Sequence, residues 1–291
     1  MSEYTIKDLE QLSGIKAHTI RIWEQRYSFL KPKRSDTNIR YYNADELKTI
    51  LNIALLNQHG YKISSIDKMN EAEMQHAVLS LSSTPAQEGR VLNKLISHMV
   101  ELNMDDFELQ LEKAVSEKGI EETLVRLIFP FMERIGILWV TNHINPAQEH
   151  LVSNIIRQKI LVGINGLKPW AKKKSSIILF LPEGEQHELG LLYAYYIMKK
   201  QGITTIYLGA DLPIKDLQFV TKFKQPDYIF THLTNRSLSL DRFLKQFRKA
   251  VPSLPLVISG KLTHNFEKKL PANVFLKTDL EQVTSFISSL G

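Results

Sequence analysis

From residue 174 onward, short apolar runs alternate with amphipathic stretches, and this alternation limits the fold more than any other feature of the chain. Strands are predicted at 176–181, 204–208, 228–233, 255–259 and 273–276, and helices at 188–201, 213–224, 238–250 and 279–289. Short runs rich in Ile, Leu, Val and Phe, all but one followed by a helical pattern, are what a parallel sheet covered on both faces requires. The expectation is a doubly wound α/β domain whose ligand lies at the carboxyl ends of the strands. Thr278 and Glu281 suit the start of the last helix.

The loop after the first predicted strand, Pro182-Glu-Gly-Glu-Gln-His-Glu-Leu-Gly190, contains Glu185-x-His187-x-x-Gly190. A neutral imidazole is a good transition-metal ligand, and a nearby carboxylate fixes its tautomer and raises its basicity. Gly190 lets a large flat ligand approach the backbone. Taken alone, these residues also describe a solvated polar loop. Later loops at the same sheet edge hold Thr231-His232-Leu233 and Ser259-Gly260.

The N-terminal part has a different character. Thr5 can cap a helix from Ile6 to Leu12, Ser13-Gly14 breaks it, and a second helix runs from about Lys16 to Gln25. Two short helices joined by a glycine-containing turn predict a helix-turn-helix. Arg40-Tyr41-Tyr42 follows as a strand, and Asn43 with Glu46 caps a helix that ends before Gly60. A short helix starts near Ser64 or Ser65. Residues 16–40 hold seven basic side chains against two acidic ones, in a chain of net charge +6. Such a cluster favours a polyanion, with nucleic acid the leading candidate, although a solvated charged face has the same composition. His18, Thr19 and Arg21 lie near the start of the second helix, where groove-facing residues belong. Lys33, Arg34, Arg40 and Tyr42 are candidate phosphate contacts, whereas Trp23 reads as core.

Ser82-Ser-Thr-Pro85 reads as part of a linker. Beyond it, helices are predicted near 87–102, 105–117, 120–141 and 146–166, a small four-helix bundle with a kink at Pro130. Asn145-Pro146-x-Gln148 is a good helix start. The chain therefore reads as an α+β multidomain protein divided at 1–75, 76–86, 87–170 and 171–291. Its lack of cysteine excludes disulfides, thiolate zinc sites, iron–sulfur clusters and Cys nucleophiles. No apolar run has membrane-spanning length and the N-terminus has no signal pattern, so a cytoplasmic protein without a membrane partner is expected.

Three sets of residues carry a resemblance. Thr19-Ile-Arg-Ile-Trp-Glu-Gln-Arg-Tyr27, Pro32-x-Arg34 and Asn38-x-Arg40-Tyr-Tyr42 resemble the winged helix-turn-helix of MerR-type regulators over roughly residues 3–70. Glu185-x-His187-x-x-Gly190 resembles the signature of flavodoxin-like cobalamin-binding domains, in which that His is the lower cobalt ligand. Trp139, followed nine residues later by Glu149-His150, resembles the helical cap of the light-responsive CarH and LitR group of MerR-type regulators. The resemblance implies that Trp139 and Glu149, with His150 beside them, contact the adenosyl group of adenosylcobalamin. It further implies that Thr231, Leu233, Ser259 and Gly260 flank the cofactor's nucleotide tail. Three departures stand out. Cobalamin domains usually carry Ser-x-Leu and Gly-Gly where this chain has Thr231-His232-Leu233 and Ser259-Gly260. The His that captures cobalt after photolysis is replaced by Val140, which leaves either His143 or His150 as a stand-in or no stable bis-His state.

The resemblance implies a transcriptional regulator, a repressor, that senses adenosylcobalamin and serves as a light receptor. Cofactor would control its oligomeric state, dimer or tetramer, and its affinity for a pseudo-palindromic operator. Two rivals remain. One is a regulator whose degenerate cobalamin fold binds a protein partner or only oligomerises. The other is a corrinoid enzyme subunit, against which stands the absence of any nucleophile–base constellation.

Overall fold

The first helices form where the capping signals lie. α1 (Ile6–Ser13) begins at Thr5, whose hydroxyl accepts from the Asp8 N–H while the Asp8 carboxylate accepts from the Thr5 N–H. Gly14 ends it at φ 76°, a left-handed conformation that costs glycine little. α2 (Ala17–Arg26) starts at Lys16, which has no acceptor to offer; Glu10 of α1 instead accepts from the Ala17 N–H at 3.1 Å. β1 (Lys33–Arg34) and β2 (Arg40–Tyr41) pair antiparallel, with Arg34 opposite Arg40. α3 (Ala44–Gln58) has the expected Asn43–Glu46 capping box, both bonds 2.9 Å long. α4 (Ile63–Ile66) is followed by α5 (Glu71–Ser80), whose Asn70–Glu73 box marks a helix that the sequence reading passed over.

α6 (Thr84–Val100) begins inside the stretch 76–86 expected as a linker and packs on α3, where Asn93 Nδ2 donates to the Leu51 carbonyl at 3.1 Å. α7 (Met104–Thr123) is broken at Gly119, which stands at φ 78° and ψ 163°. A π-turn, Leu124–Ile128, leads into α8 (Phe129–Val140). Pro130 cannot return an N–H to the preceding turn, and the expected kink takes the form of this wide turn. α9 (Pro146–Asn165) starts at Asn145, whose Oδ1 accepts from the Ala147 N–H while Gln148 Oε1 accepts from the Asn145 N–H.

This computed structural model describes residues 4–34, 39–81, 83–140, 145–168, 172–235, 237–264, 266 and 270–290. Two compact units emerge, Met1–Ile155 and Ile156–Gly291, divided within α9. In the first, Leu47, Ile50, Leu95, Phe107 and Phe131 are buried. Trp23 is buried as expected, edge-on to Phe29.

The second unit alternates β3 (Ser176–Pro182), α10 (Leu189–Lys200), β4 (Thr204–Leu212), α11 (Ile214–Lys224), β5 (Tyr228–His232), α12 (Leu240–Ala250), β6 (Leu256–Ser259), β7 (Val274–Lys277) and α13 (Leu280–Ser289). All pairings are parallel, in the order β4-β3-β5-β6-β7. This is the expected doubly wound sheet, and its switch point falls between β3 and β5. Residues Ile177 to Leu181 are wholly buried, and each such side chain contributes about 1.5–3 kcal/mol. β4 runs further than expected, to Leu212, through two register shifts against β3. α13 is capped by Asp279 rather than by Thr278 with Glu281: Asp279 Oδ1 accepts from the Gln282 N–H at 2.8 Å. Among the described residues, no helix is long and apolar enough to cross a membrane.

Candidate ligand site and nucleic-acid interface

The loop between β3 and α10 sits at the carboxyl end of the sheet and is organised by one carboxylate. Glu185 is 0% exposed. Its Oε1 accepts from His187 Nδ1 at 2.6 Å and from the His187 N–H at 3.0 Å. Its Oε2 accepts from the Thr234 and Asn235 N–H groups, both at 2.7 Å. Burial pushes the Glu185 carboxyl up, but the His187 ring and the three backbone N–H groups outweigh it and hold the pKa at about 2. Accepting Nδ1–H in this way places the imidazole lone pair on Nε2, and the His187 side chain is 50% exposed. Carboxylate and imidazole thus form the arrangement that prepares a histidine for a metal.

The loop's exit is anchored by residues the sequence reading missed. Glu188 accepts from Arg157 Nε at 2.6 Å and from the Tyr207 hydroxyl at 2.7 Å. Burial, with Glu188 next, raises the Tyr207 pKa, so the phenol stays protonated. Only the position of Glu188 beside His187 hinted at this role.

Behind the loop, the other predicted cofactor residues are covered. Thr231 and Ser259 are buried, and Leu233 packs in the hydrophobic core. Gly260, at φ 97°, is demanded by the protein itself: a Cβ there would stand 2.4 Å from the Leu233 carbonyl oxygen. Gly190 does not present a bare backbone to the outside, as expected from the sequence. The His232 ring lies against it, and a Cβ at Gly190 would be 2.4 Å from His232 Nε2. His232 Nδ1 is hydrogen-bonded to Ser259 Oγ at 2.8 Å. Burial lowers the His232 pKa to about 4, against the attraction of Glu185, so the ring is neutral near neutral pH. Thr231 Oγ1 is buried without a hydrogen-bond partner among the described residues.

Trp139, Glu149 and His150 belong to the first unit. Glu149 lies in the first turn of α9, half-buried, with Oε2 3.4 Å from His150 Nδ1; His150 is exposed. Gln148 Nε2 donates to the Met99 and Val100 carbonyls and ties the start of α9 to the end of α6. His143 and the side chains of Trp139 and Val140 lie outside the described residues. Upstream on α8, Arg134 Nη1 donates to the Leu12 carbonyl of α1 at 3.1 Å, and burial lowers the pKa of its guanidinium. A cation at the carboxyl end of a helix is favourably placed.

On α2, His18 and Arg21 are exposed and Thr19 is half-buried, its hydroxyl 3.3 Å from His18 Nε2. Ile22 (43% exposed) and Gln25 share the open face, as their spacing of four and seven from His18 could have indicated. Lys33 and Arg34 are exposed on β1. Tyr42 is a correction. It is 0% exposed, and its hydroxyl donates to Glu24, so it cannot reach a phosphate. Its backbone bridges Tyr4, which turns the ring into the core. Arg40 is half-engaged inward too, with Nε 2.9 Å from Glu24 Oε2.

Comparisons with known proteins bear on both regions. Residues 4–73 match the model of the MerR helix-turn-helix family of regulatory proteins, and residues 91–162 match that of a B12 binding domain. The chain is 26% identical over 288 residues to the HTH-type transcriptional repressor CarH of Myxococcus xanthus, covering 94% of each chain. It is also 26% identical to CarA of the same organism over 264 residues, 88% of this chain and 85% of that one. Among solved structures, the monomethylamine corrinoid protein of Methanosarcina barkeri matches with a TM-score of 0.56 at 14% identity, over 69% of this chain and 99% of that chain; this likeness concerns the fold.

Proposed function

We propose that this chain, a MerR-type regulator joined to a cobalamin-binding region, is a transcriptional repressor that senses adenosylcobalamin. The observation that carries the reading is the 2.6 Å bond from His187 Nδ1 to the buried Glu185, at the switch point of a doubly wound sheet. Cobalamin, when bound, would supply a cobalt centre, and the donor set fits it: His187 would hold the cobalt, with Glu185 fixing its tautomer. The orphaned Thr231 hydroxyl fits a buried polar group of the ligand. Trp139 and Glu149 are assigned to the adenosyl group, as an aromatic face and a carboxylate acceptor for ribose hydroxyls.

His18, Thr19, Arg21, Ile22 and Gln25 form the reading face for the major groove, and Lys33 and Arg34 meet phosphates. Coupling runs by linkage: a ligand that stabilises one state of the protein shifts its oligomeric state and DNA affinity. α8 is suited to carry this within the first unit, because Trp139 and the Arg134 that holds α1 lie on the same helix. Dimer or tetramer, bound to a two-fold operator, is the expected assembly.

Incubation with adenosylcobalamin in the dark, removal of free ligand and an absorption spectrum test the reading. Retained corrin absorbance is expected, and its absence would defeat the proposal. His187→Ala should change the spectrum of any retained corrinoid; an identical spectrum removes His187 as the cobalt ligand. Illumination before a gel-shift assay then reads any light response. Arg21→Ala should weaken operator binding by about 1 kcal/mol or more and relax its sequence preference.

A further inference from the structure

His232, the middle residue of Thr231-His232-Leu233, and the departure Ser259 are one feature in the structure. They stand opposite each other in the parallel register of β5 and β6, and His232 Nδ1 bonds to Ser259 Oγ. The ring then projects across the carboxyl end of the sheet to the first turn of α10. There, three of its atoms would lie within 2.6 Å of any Cβ at position 190. Only glycine leaves room for it. The crevice in question adjoins the switch point between β3 and β5, where doubly wound sheets bind their ligands. An imidazole of this chain stands there, tied to the buried Ser259 hydroxyl.

We propose that His232 is a gate on this crevice and decides which corrinoids the site accepts. The inference rests on the corrinoid reading of the site given above. Shut, the imidazole leaves His187 accessible at the rim but bars any group that must enter between α10 and the sheet. Rotation of the ring breaks one hydrogen bond, to Ser259. It vacates the space beside Gly190 for the entering group. A corrinoid carrying a nucleotide tail therefore has to open the gate, whereas one lacking the tail does not. A ligand that binds only the open state loses apparent affinity in proportion to the open fraction.

The test is equilibrium dialysis of the full-length protein in the dark with adenosylcobalamin and, separately, adenosylcobinamide, which lacks the nucleotide. His232→Ala should strengthen adenosylcobalamin binding roughly tenfold if about a tenth of the molecules are open, and leave adenosylcobinamide unchanged. Ser259→Ala, which removes only the ring's anchor, should shift the same ratio in the same direction by less. Thermal melts establish that each variant is folded; should His232→Ala fail to fold, Ser259→Ala alone carries the test. An unchanged ratio of the two affinities in the folded variants overturns the gate and leaves the corrinoid reading standing. Failure of both corrinoids to bind wild type and variants overturns both.

Discussion

Two buried carboxylates, Glu24 in the first unit and Glu185 in the second, organise the two regions by opposite means. Glu24 accepts from the Tyr42 hydroxyl and pairs with Arg40 at 2.9 Å, so its charge is met by a cation and a phenol drawn inward. Burial, with Glu24 next, raises the Tyr42 pKa. Glu185 is met by the His187 ring and by backbone N–H groups of residues 187, 234 and 235. The first arrangement takes side chains that look like DNA contacts and puts them to structural use. The second stiffens a loop and fixes the tautomer of an imidazole. A charged or polar side chain near a site is thus assigned by what its neighbours already ask of it.

The largest test of this contrast is Glu185→Gln. Breaking a buried, fully bonded carboxylate should destabilise the second unit by about 3 kcal/mol, read from urea unfolding. The carboxyl is held at about 2 in the folded chain, below its ordinary 4.5. Its contribution is therefore complete above about pH 4.5 and is lost as pH falls toward 2. Wild type should lose on the order of 3 kcal/mol across that window beyond whatever Glu185→Gln loses. Equal losses would show that Glu185 does not organise the loop.

Glu24→Gln should cost less, about 2 kcal/mol, because Tyr42 and Arg40 keep a neutral acceptor. It should also release Arg40 toward DNA and steepen the dependence of log affinity on log salt by about one. A slope equal to wild type would show that Arg40 is not held back by Glu24. Smallest is Tyr42→Phe, at about 1 kcal/mol of stability, with DNA affinity unchanged. A loss of DNA binding in a variant of undiminished stability would restore Tyr42 as a contact.

Local signals are the legible part of this sequence. The five strands follow from apolar runs, and the Asn43–Glu46 and Asn145–Gln148 helix starts follow from hydrogen bonds that span three residues. α5 is equally legible, through the Asn70–Glu73 capping box, although it is absent from the helices expected above. Tyr42 is not legible: a two-residue strand has too short a period to tell which face is buried, and its bridge to Tyr4 lies 38 residues away.

The sequence alone determined that a doubly wound sheet would carry His187 at its carboxyl edge, because strand, loop and helix are each encoded within a few neighbouring residues. It also determined the helix-turn-helix with its basic surroundings. Only the tertiary structure decided what lies beside Gly190. The partners there, His232 and Ser259, are 27 residues apart and meet through the register of two parallel strands. Sequence separation carries no signal of that register, which is set when whole strands pack and bury their apolar faces together.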